Sequence, residues 1–346
     1  MTTVIDYAND TTGQLDEVLG LSEHLRDALW RVDSSGAKPV EATGGVIIAG
    51  MGGSASGGRL AQGAIGPRLK RPLVVADGYA LPSWAGPSTL VLHSSYSGNT
   101  EETVSAYDDA AARSIPRIVA STGGALVDRA RRDGVPVVPI PGGFQPRAAI
   151  GYSLVAAMEA AALGGAAPSL RDEIEAAADL ADTLAVEWGP DSGEDSLAKS
   201  LARALHGTVP VIAGGELAAS VAYRWKCQFN ENAQLPAFAS ALPELNHNEV
   251  VGWESARELG RFSYVSLEDP GAHPRNQLRA ELTAEIAAAG ADPVLRVTAR
   301  GETRVERLIS LVLLGDLVSI YAAVLRGADP IDIPAIDSIK ASLSSR

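Results

Sequence analysis

Twice along this chain a run of apolar residues ends abruptly in glycine. Val46-Ile47-Ile48-Ala49 leads into Gly50-Met51-Gly52-Gly53-Ser54-Ala55, and Val209-Pro210-Val211-Ile212-Ala213 leads into Gly214-Gly215. Runs of this length fit buried strands, and the glycines let the backbone turn sharply into a following helix. Such a turn brings backbone N–H groups close to an anion, and the helix N-terminus favours negative charge. A phosphate is therefore the expected ligand of the first turn. Its kind stays open from this stretch alone. Gly50-Met-Gly52-Gly-Ser54-Ala55 also satisfies the dinucleotide pattern G-x-G-x-x-G/A, and Asp77 stands about twenty residues on, where a ribose-binding acid would be. A tight strand–helix turn without any ligand is the bland alternative.

Around the first turn the chain alternates between two periods. Short apolar runs at 73–76, 89–92, 117–120 and 135–140 are mostly separated by helical patterns, at 100–113 and 125–132. This alternation predicts a parallel sheet with helices on both faces. Upstream, Leu15, Val18, Leu19, Leu21, Leu25 and Leu29 form one face of a helix expected over about 9–32. Helices at 147–163 and 170–188 lead away from the sheet, with glycine- and proline-rich breaks after each. The second half then echoes the first: helix 196–206, the second glycine-ended strand, a helix from Glu216, strands at 264–267 and 294–298, and helices at 276–289 and 303–325. A short helix at 336–343 closes the chain. The expected fold class is α/β, with two similar αβα sandwich subdomains at 41–165 and 190–330. An N-terminal helical segment (1–40) and a C-terminal helical tail (331–346) flank them.

A net charge of −13 argues against nonspecific binding to nucleic acid or to an anionic membrane surface. It leaves room for a small basic pocket that holds a phosphorylated metabolite. Cys227 is the only cysteine, which rules out an intramolecular disulfide and a cysteine-rich zinc site. No histidine–carboxylate cluster has metal-ligand spacing, so neither metal nor cofactor is expected. The start of the chain lacks the basic and apolar regions of a signal peptide. The longest apolar stretch, 308–325, is interrupted by Asp316 and falls short of the ~20 residues that span a bilayer. A soluble, cytoplasmic protein is the expectation.

A second loop decides between the phosphates. Ser94-Ser95-Tyr96-Ser97-Gly98-Asn99-Thr100 follows a strand and precedes a helix opened by Glu101 and Glu102. A dinucleotide fold does not need these hydroxyls, although Ser97 or Thr100 would serve as an ordinary helix cap. A phosphate monoester does need them, since its oxygens take several short hydrogen bonds from hydroxyl and N–H donors. With Gly50-Met-Gly52-Gly53-Ser54 before it, this run resembles the sugar isomerase (SIS) domain. Arg224-Trp-Lys226-Cys-Gln-Phe-Asn230-Glu231-Asn232-Ala233 and Pro243-Glu-Leu-Asn246-His247-Asn248-Glu249 narrow the resemblance to the bifunctional phosphoglucose/phosphomannose isomerase family, over about 45–340.

Aldose–ketose isomerisation moves a proton between C1 and C2 through an enediol. It needs a base for the carbon acid, an acid–base group for ring opening and positive charge near the developing oxyanion. Glu231 is the candidate proton shuttle, and His247 is the candidate for ring opening, because an unperturbed imidazole gives up and takes up a proton near neutral pH. The resemblance implies the same two roles, adds Arg147 as the enediolate stabiliser and Lys340 as a further site residue, and implies a homodimer in which the partner subunit supplies the histidine. Gly52, Gly53, Ser54, Ser95, Ser97 and Thr100 are the expected phosphate-binding residues. The expected substrates are glucose 6-phosphate and/or mannose 6-phosphate, interconverted with fructose 6-phosphate.

Two other readings are carried beside this one: an SIS protein that senses a sugar phosphate without turning it over, and a nicotinamide enzyme using the first turn and Asp77. The chain departs from the family pattern at Ser56, Arg59, Gln234 and Ile331. A threonine is usual at the last position and is associated with acceptance of both epimers, so the epimer preference stays open. His24, His93, His206 and His273 read as structural or surface groups.

Overall fold

A computed structural model describes Ile5 and residues 7–345. In chain order the elements are α1 (Gln14–Leu19), α2 (Leu21–Ser34), β1 (Gly45–Ala49), α3 (Gly52–Ile65), β2 (Leu73–Ala76), β3 (Thr89–Ser94), α4 (Glu101–Ala112), β4 (Arg117–Ser121), α5 (Gly124–Asp133), β5 (Val137–Pro139), α6 (Ile150–Leu163) and α7 (Arg171–Trp188). There follow α8 (Leu197–Leu205), β6 (Val209–Gly215), α9 (Leu217–Glu231), β7 (Phe238–Leu242), α10 (Ala256–Leu259), β8 (Phe262–Glu268), α11 (Pro274–Ala287), β9 (Ala291–Thr298), α12 (Arg304–Leu325) and α13 (Pro334–Ser344). The chain divides into two compact units. The first comprises Gly20–Asp182 and Arg300–Ser310; the second takes residues up to Leu19, Thr183–Ala299 and those from Leu311 onward.

The first unit holds a five-stranded parallel sheet in the order β2-β1-β3-β4-β5. Strand β1 is buried along its whole length, as an unbroken apolar run predicts for the centre of a parallel sheet. On one face Ile47, Ala49 and Val91 pack with Leu81 and with Ala106 and Ala110 of α4. Further along the sheet Tyr107, Val119, Leu126 and Ala130 form a second cluster. In the first cluster the helix side is Ala106 and Ala110, small residues that let α4 lie close to the sheet.

The second unit holds a four-stranded parallel sheet in the order β7-β6-β8-β9. Ala213, Tyr264, Trp253 and Leu245 pack with Ala280, Ala284 and Ala287 of α11. Helix α9 is tied to α12 through buried polar groups. Nε and Nη2 of Arg224 donate to the two carboxylate oxygens of Asp316 at 3.0 and 2.6 Å, and Gln228 Nε2 donates to the same carboxylate at 2.9 Å. Burial pushes the Asp316 carboxyl up, against the pull of the guanidinium. Trp225 Nε1 donates to Leu311 O at 2.8 Å.

Four sequence expectations are corrected here. The N-terminal helix is two helices, divided at Gly20, a residue that weakens a helix interior. Asp316 does not interrupt the apolar stretch: α12 runs through it for 22 residues. By length and composition α12 is able to cross a membrane, but 94% of its most apolar window is buried inside the protein. Its charge is tolerated because Arg224 and Gln228 satisfy it. Strand β7 was not expected: Phe238-Ala-Ser-Ala-Leu242 is a half-exposed edge strand with small residues at its centre. The strand expected over 135–140 shrinks to Val137–Pro139, preceded by Pro136 and ending on Pro139.

Candidate active site

In a sheet of order 2-1-3-4-5, the chain leaves β1 and β3 in opposite directions, and a crevice opens at their carboxyl ends. In the first unit both loops singled out in the sequence sit there. Gly50 and Met51 follow β1, and α3 opens at Gly52, whose φ of +52° is the left-handed conformation that glycine adopts freely. A Cβ on Gly52 would meet nothing within 4 Å, so the space beside this turn is open. Ser54 lies in the first turn of α3, half-buried, its N–H donating to Met51 O at 3.0 Å.

The second loop is a tightly bonded structure. Ser95 is buried, and its Oγ lies 2.8 Å from Thr100 Oγ1. Thr100 is the N-cap of α4, yet its side chain caps no backbone N–H; it faces Ser95 instead. Gly98 N donates to Ser95 Oγ at 3.1 Å. Gly98 has φ +69°, and a Cβ there would fall 1.8 Å from Gly123 O. Ser97 is exposed and accepts from Asn99 N at 3.2 Å. The far side of the loop holds α5: Asn99 Oδ1 accepts from Ala125 N and Gly98 O from Leu126 N. Tyr96 O accepts from Thr122 N at 3.0 Å, and Tyr96 OH accepts from Phe144 N at 2.8 Å. Sequence reasoning missed this support from the Thr122-Gly-Gly turn and from Phe144; the glycine pair after β4 was the available signal.

Arg147 joins the same place. It is buried, just before α6, and its backbone lies against Gly53: a Cβ on Gly53 would stand 2.8 Å from Pro146 O and 3.5 Å from Arg147 Cα. The first unit thus brings together Gly52, Gly53, Ser54, Ser95, Ser97, Thr100 and the Arg147 segment around the β1/β3 crevice.

The second unit carries the remaining candidates. Glu231 is the last residue of α9, half-buried. Its neighbours are fixed: Asn230 Nδ2 donates to Leu235 O at 2.8 Å, and the fully buried Asn232 donates to Ser319 Oγ at 2.9 Å. Arg224, in the same motif as Glu231, is engaged with Asp316, and the Lys226 ammonium lies 5.6 Å from the Tyr223 ring centre. His247 is exposed at the end of a short helical turn, Glu244–His247. That turn is anchored by buried Leu245 and by Asn246, whose Nδ2 donates to Thr283 Oγ1 at 2.7 Å and whose Oδ1 accepts from Arg279 at 3.2 Å. Lys340 lies on α13 and is exposed. One family departure reaches the segment that carries another: Gln234 Nε2 donates to the carbonyls of Asp329 and Asp332, on either side of Ile331.

Asp77, the would-be ribose acid, pairs with Arg59 at 2.5 Å. His93 is fully buried, edge-on to Tyr107 with ring centres 5.1 Å apart, and burial pushes its pKa down to about 3. His24 is buried against Phe144 and Tyr152 and is likewise shifted down by burial. His206 and His273 cap helices α8 and α11.

Residues 194–343 match the family described as bacterial phospho-glucose isomerase C-terminal SIS domain. A bifunctional phosphoglucose/phosphomannose isomerase of Caldicellulosiruptor bescii is 40% identical over 302 residues, 86% of this chain and 89% of that one. The protein of the same description from Aquifex aeolicus is 34% identical over 310 residues, 89% and 92% of the two chains. Among solved structures, a hypothetical protein from Thermus thermophilus superposes with a TM-score of 0.74 at 18% identity, covering 96% of this chain and 90% of that one. Tagatose-6-phosphate ketose/aldose isomerase from Escherichia coli gives 0.67 at 14% identity, covering 95% and 97%. At these identities the structural likeness concerns the fold.

Proposed function

This chain belongs to the bifunctional phosphoglucose/phosphomannose isomerase family, and on that premise we propose that it interconverts glucose 6-phosphate and/or mannose 6-phosphate with fructose 6-phosphate through an enediol. The observation that carries the reading is the paired Ser95 and Thr100 hydroxyls at the β1/β3 crevice, with the Arg147 segment against Gly53. Hydroxyls and helix N-termini at one point suit the oxygens of a phosphate monoester.

In this mechanism Gly52, Gly53, Ser54, Ser95, Ser97 and Thr100 hold the phosphate. His247 protonates the ring oxygen and accepts the hydroxyl proton as the sugar opens. Glu231 then removes the C2 proton of the aldose. Electrons move onto the carbonyl oxygen, and the guanidinium of Arg147 stabilises the enediolate, with Lys340 as a further cation. The O2 hydroxyl proton passes to O1, and Glu231 returns its proton to C1 as O2 becomes the carbonyl oxygen, which completes the ketose. The reaction is redox-neutral and needs no cofactor. We place the enzyme in the cytoplasm as a homodimer, His247 reaching the site from the partner subunit. The repeats at 41–165 and 190–330 are its two SIS-type subdomains.

The test is a coupled assay with each hexose 6-phosphate on the wild type and on Glu231→Gln. The wild type should turn over at least one aldose. The variant should lose turnover and still bind fructose 6-phosphate. Ordinary turnover in the variant would remove Glu231 as the base, and a wild type that binds substrate without turnover would make the chain a sensor.

A further inference from the structure

The second unit repeats the plan of the first, and the repeat extends to its loops. Strand β6 sits in its sheet as β1 does, between β7 and β8, as β1 sits between β2 and β3. After β1 the left-handed residue at the helix start is Gly52, φ +52°; after β6 it is Glu216, φ +51°. After β3 the N-cap of the next helix is Thr100; after β8 it is His273, at the start of α11.

These counterparts touch in the second unit. Glu216 Oε1 accepts from His273 N at 2.9 Å and from Asn276 Nδ2 at 2.8 Å. The Glu216 side chain therefore runs from the counterpart of Gly52 to the counterpart of Thr100, the two walls of the first unit's phosphate pocket. At Gly52 the same space is open, since a Cβ would meet nothing within 4 Å. A non-glycine residue with positive φ is uncommon, so this backbone is set by the turn and not by the preference of glutamate. The carboxylate supplies at the N-terminus of α11 the negative charge that a bound phosphate supplies at such sites.

We infer that Glu216 is a built-in anion that closes the second unit's counterpart of the phosphate pocket, so that each chain holds one sugar phosphate and not two. The neighbouring cavity, about 420 Å³, agrees in sign. Glu268, Asp269 and Glu281 line it, and Arg296, which also lines it, is held by Glu268 at 2.6 Å. A sugar phosphate entering there would meet carboxylates. The inference rests on reading the first pocket as a phosphate site.

The test is equilibrium dialysis with inorganic phosphate on the wild type, Glu216→Gly and Glu216→Ala, each checked for native circular dichroism. Glycine suits the left-handed position, and alanine removes the carboxylate by a second route. The wild type should bind one phosphate per chain, and both variants should bind two. Two sites in the wild type, or an unchanged count in either folded variant, overturns the inference. A wild type that binds none overturns the first-pocket reading instead, and the gain in the variants still decides the role of Glu216.

Discussion

Gly98 and Gly52 both have left-handed backbone in the crevice loops, but their surroundings differ, and alanine at each separates two effects. At Gly52 the added methyl meets nothing within 4 Å, so Gly52→Ala bears only the conformational cost, roughly 1–2 kcal/mol. At Gly98 the methyl would stand 1.8 Å from Gly123 O and 2.7 Å from Ser121 Oγ. Ordinary contact begins at 3.4 Å, so the Ser95–Thr100 loop and the Thr122-Gly-Gly turn must part by about 1.6 Å. That movement strains the bonds from Gly98 N to Ser95 Oγ and from Leu126 N to Gly98 O, each contributing roughly 1 kcal/mol. Gly98→Ala should then lose roughly 3–4 kcal/mol of stability, adding these bonds to the left-handed cost. If the loop's hydroxyls hold the substrate phosphate, displacing them by more than an ångström should also lower kcat/KM on the order of 10²-fold. Urea unfolding followed by circular dichroism gives the first quantity, and the coupled isomerase assay gives the second. Equal stabilities for the two variants would refute the argument, since the close approach to Gly123 would then carry no energetic weight.

Arg224→Met should destabilise the fold by roughly 3–5 kcal/mol, because it leaves the buried Asp316 carboxylate without its guanidinium, whereas the double change Arg224→Met with Asp316→Leu should recover most of that loss in urea melts. His93 is neutral in the folded protein down to about pH 3, while the unfolded chain takes up its proton near pH 6.5. Unfolding free energy should therefore fall as pH drops through that window, with His93 contributing up to ~1.4 kcal/mol per pH unit, and His93→Phe should flatten the slope in acid titrations. If His247 serves the partner's site, mixing unfolded Glu231→Gln and His247→Ala chains and refolding them together should restore about a quarter of wild-type activity, because half the dimers are mixed and each has one intact site. No recovery in verified mixed dimers would place both residues in one subunit.

Sheet content was legible because β1, β3 and β6 are near-continuous apolar runs, and parallel strands buried on both faces leave that trace. Strand β7 was not, because a short edge strand with Ala-Ser-Ala at its centre gains its place by pairing with β6 more than by its own pattern. The hydroxyl-rich loop after β3 was legible from its density of Ser and Thr, yet that Thr100 faces Ser95 and caps no backbone N–H was not. Partnerships distant in sequence were invisible. Arg224 stands seven residues before Glu231, the spacing of one helix face, but its partner Asp316 is 92 residues away. Asp77 fitted a dinucleotide spacing, and only Arg59 beside it shows the ordinary ion pair it makes.

The loop that presents Ser95 and Thr100 on one side is also the roof of α5, through Asn99 Oδ1 on Ala125 N and Gly98 O on Leu126 N. Exchange of those two amide protons requires their bonds to the loop to open. A ligand that settles the loop must therefore slow their hydrogen exchange, although it touches neither residue. Helix α5 is thus a native reporter of occupancy, readable by amide exchange without a chromophore and without turnover, and it would register an inhibitor as readily as a substrate.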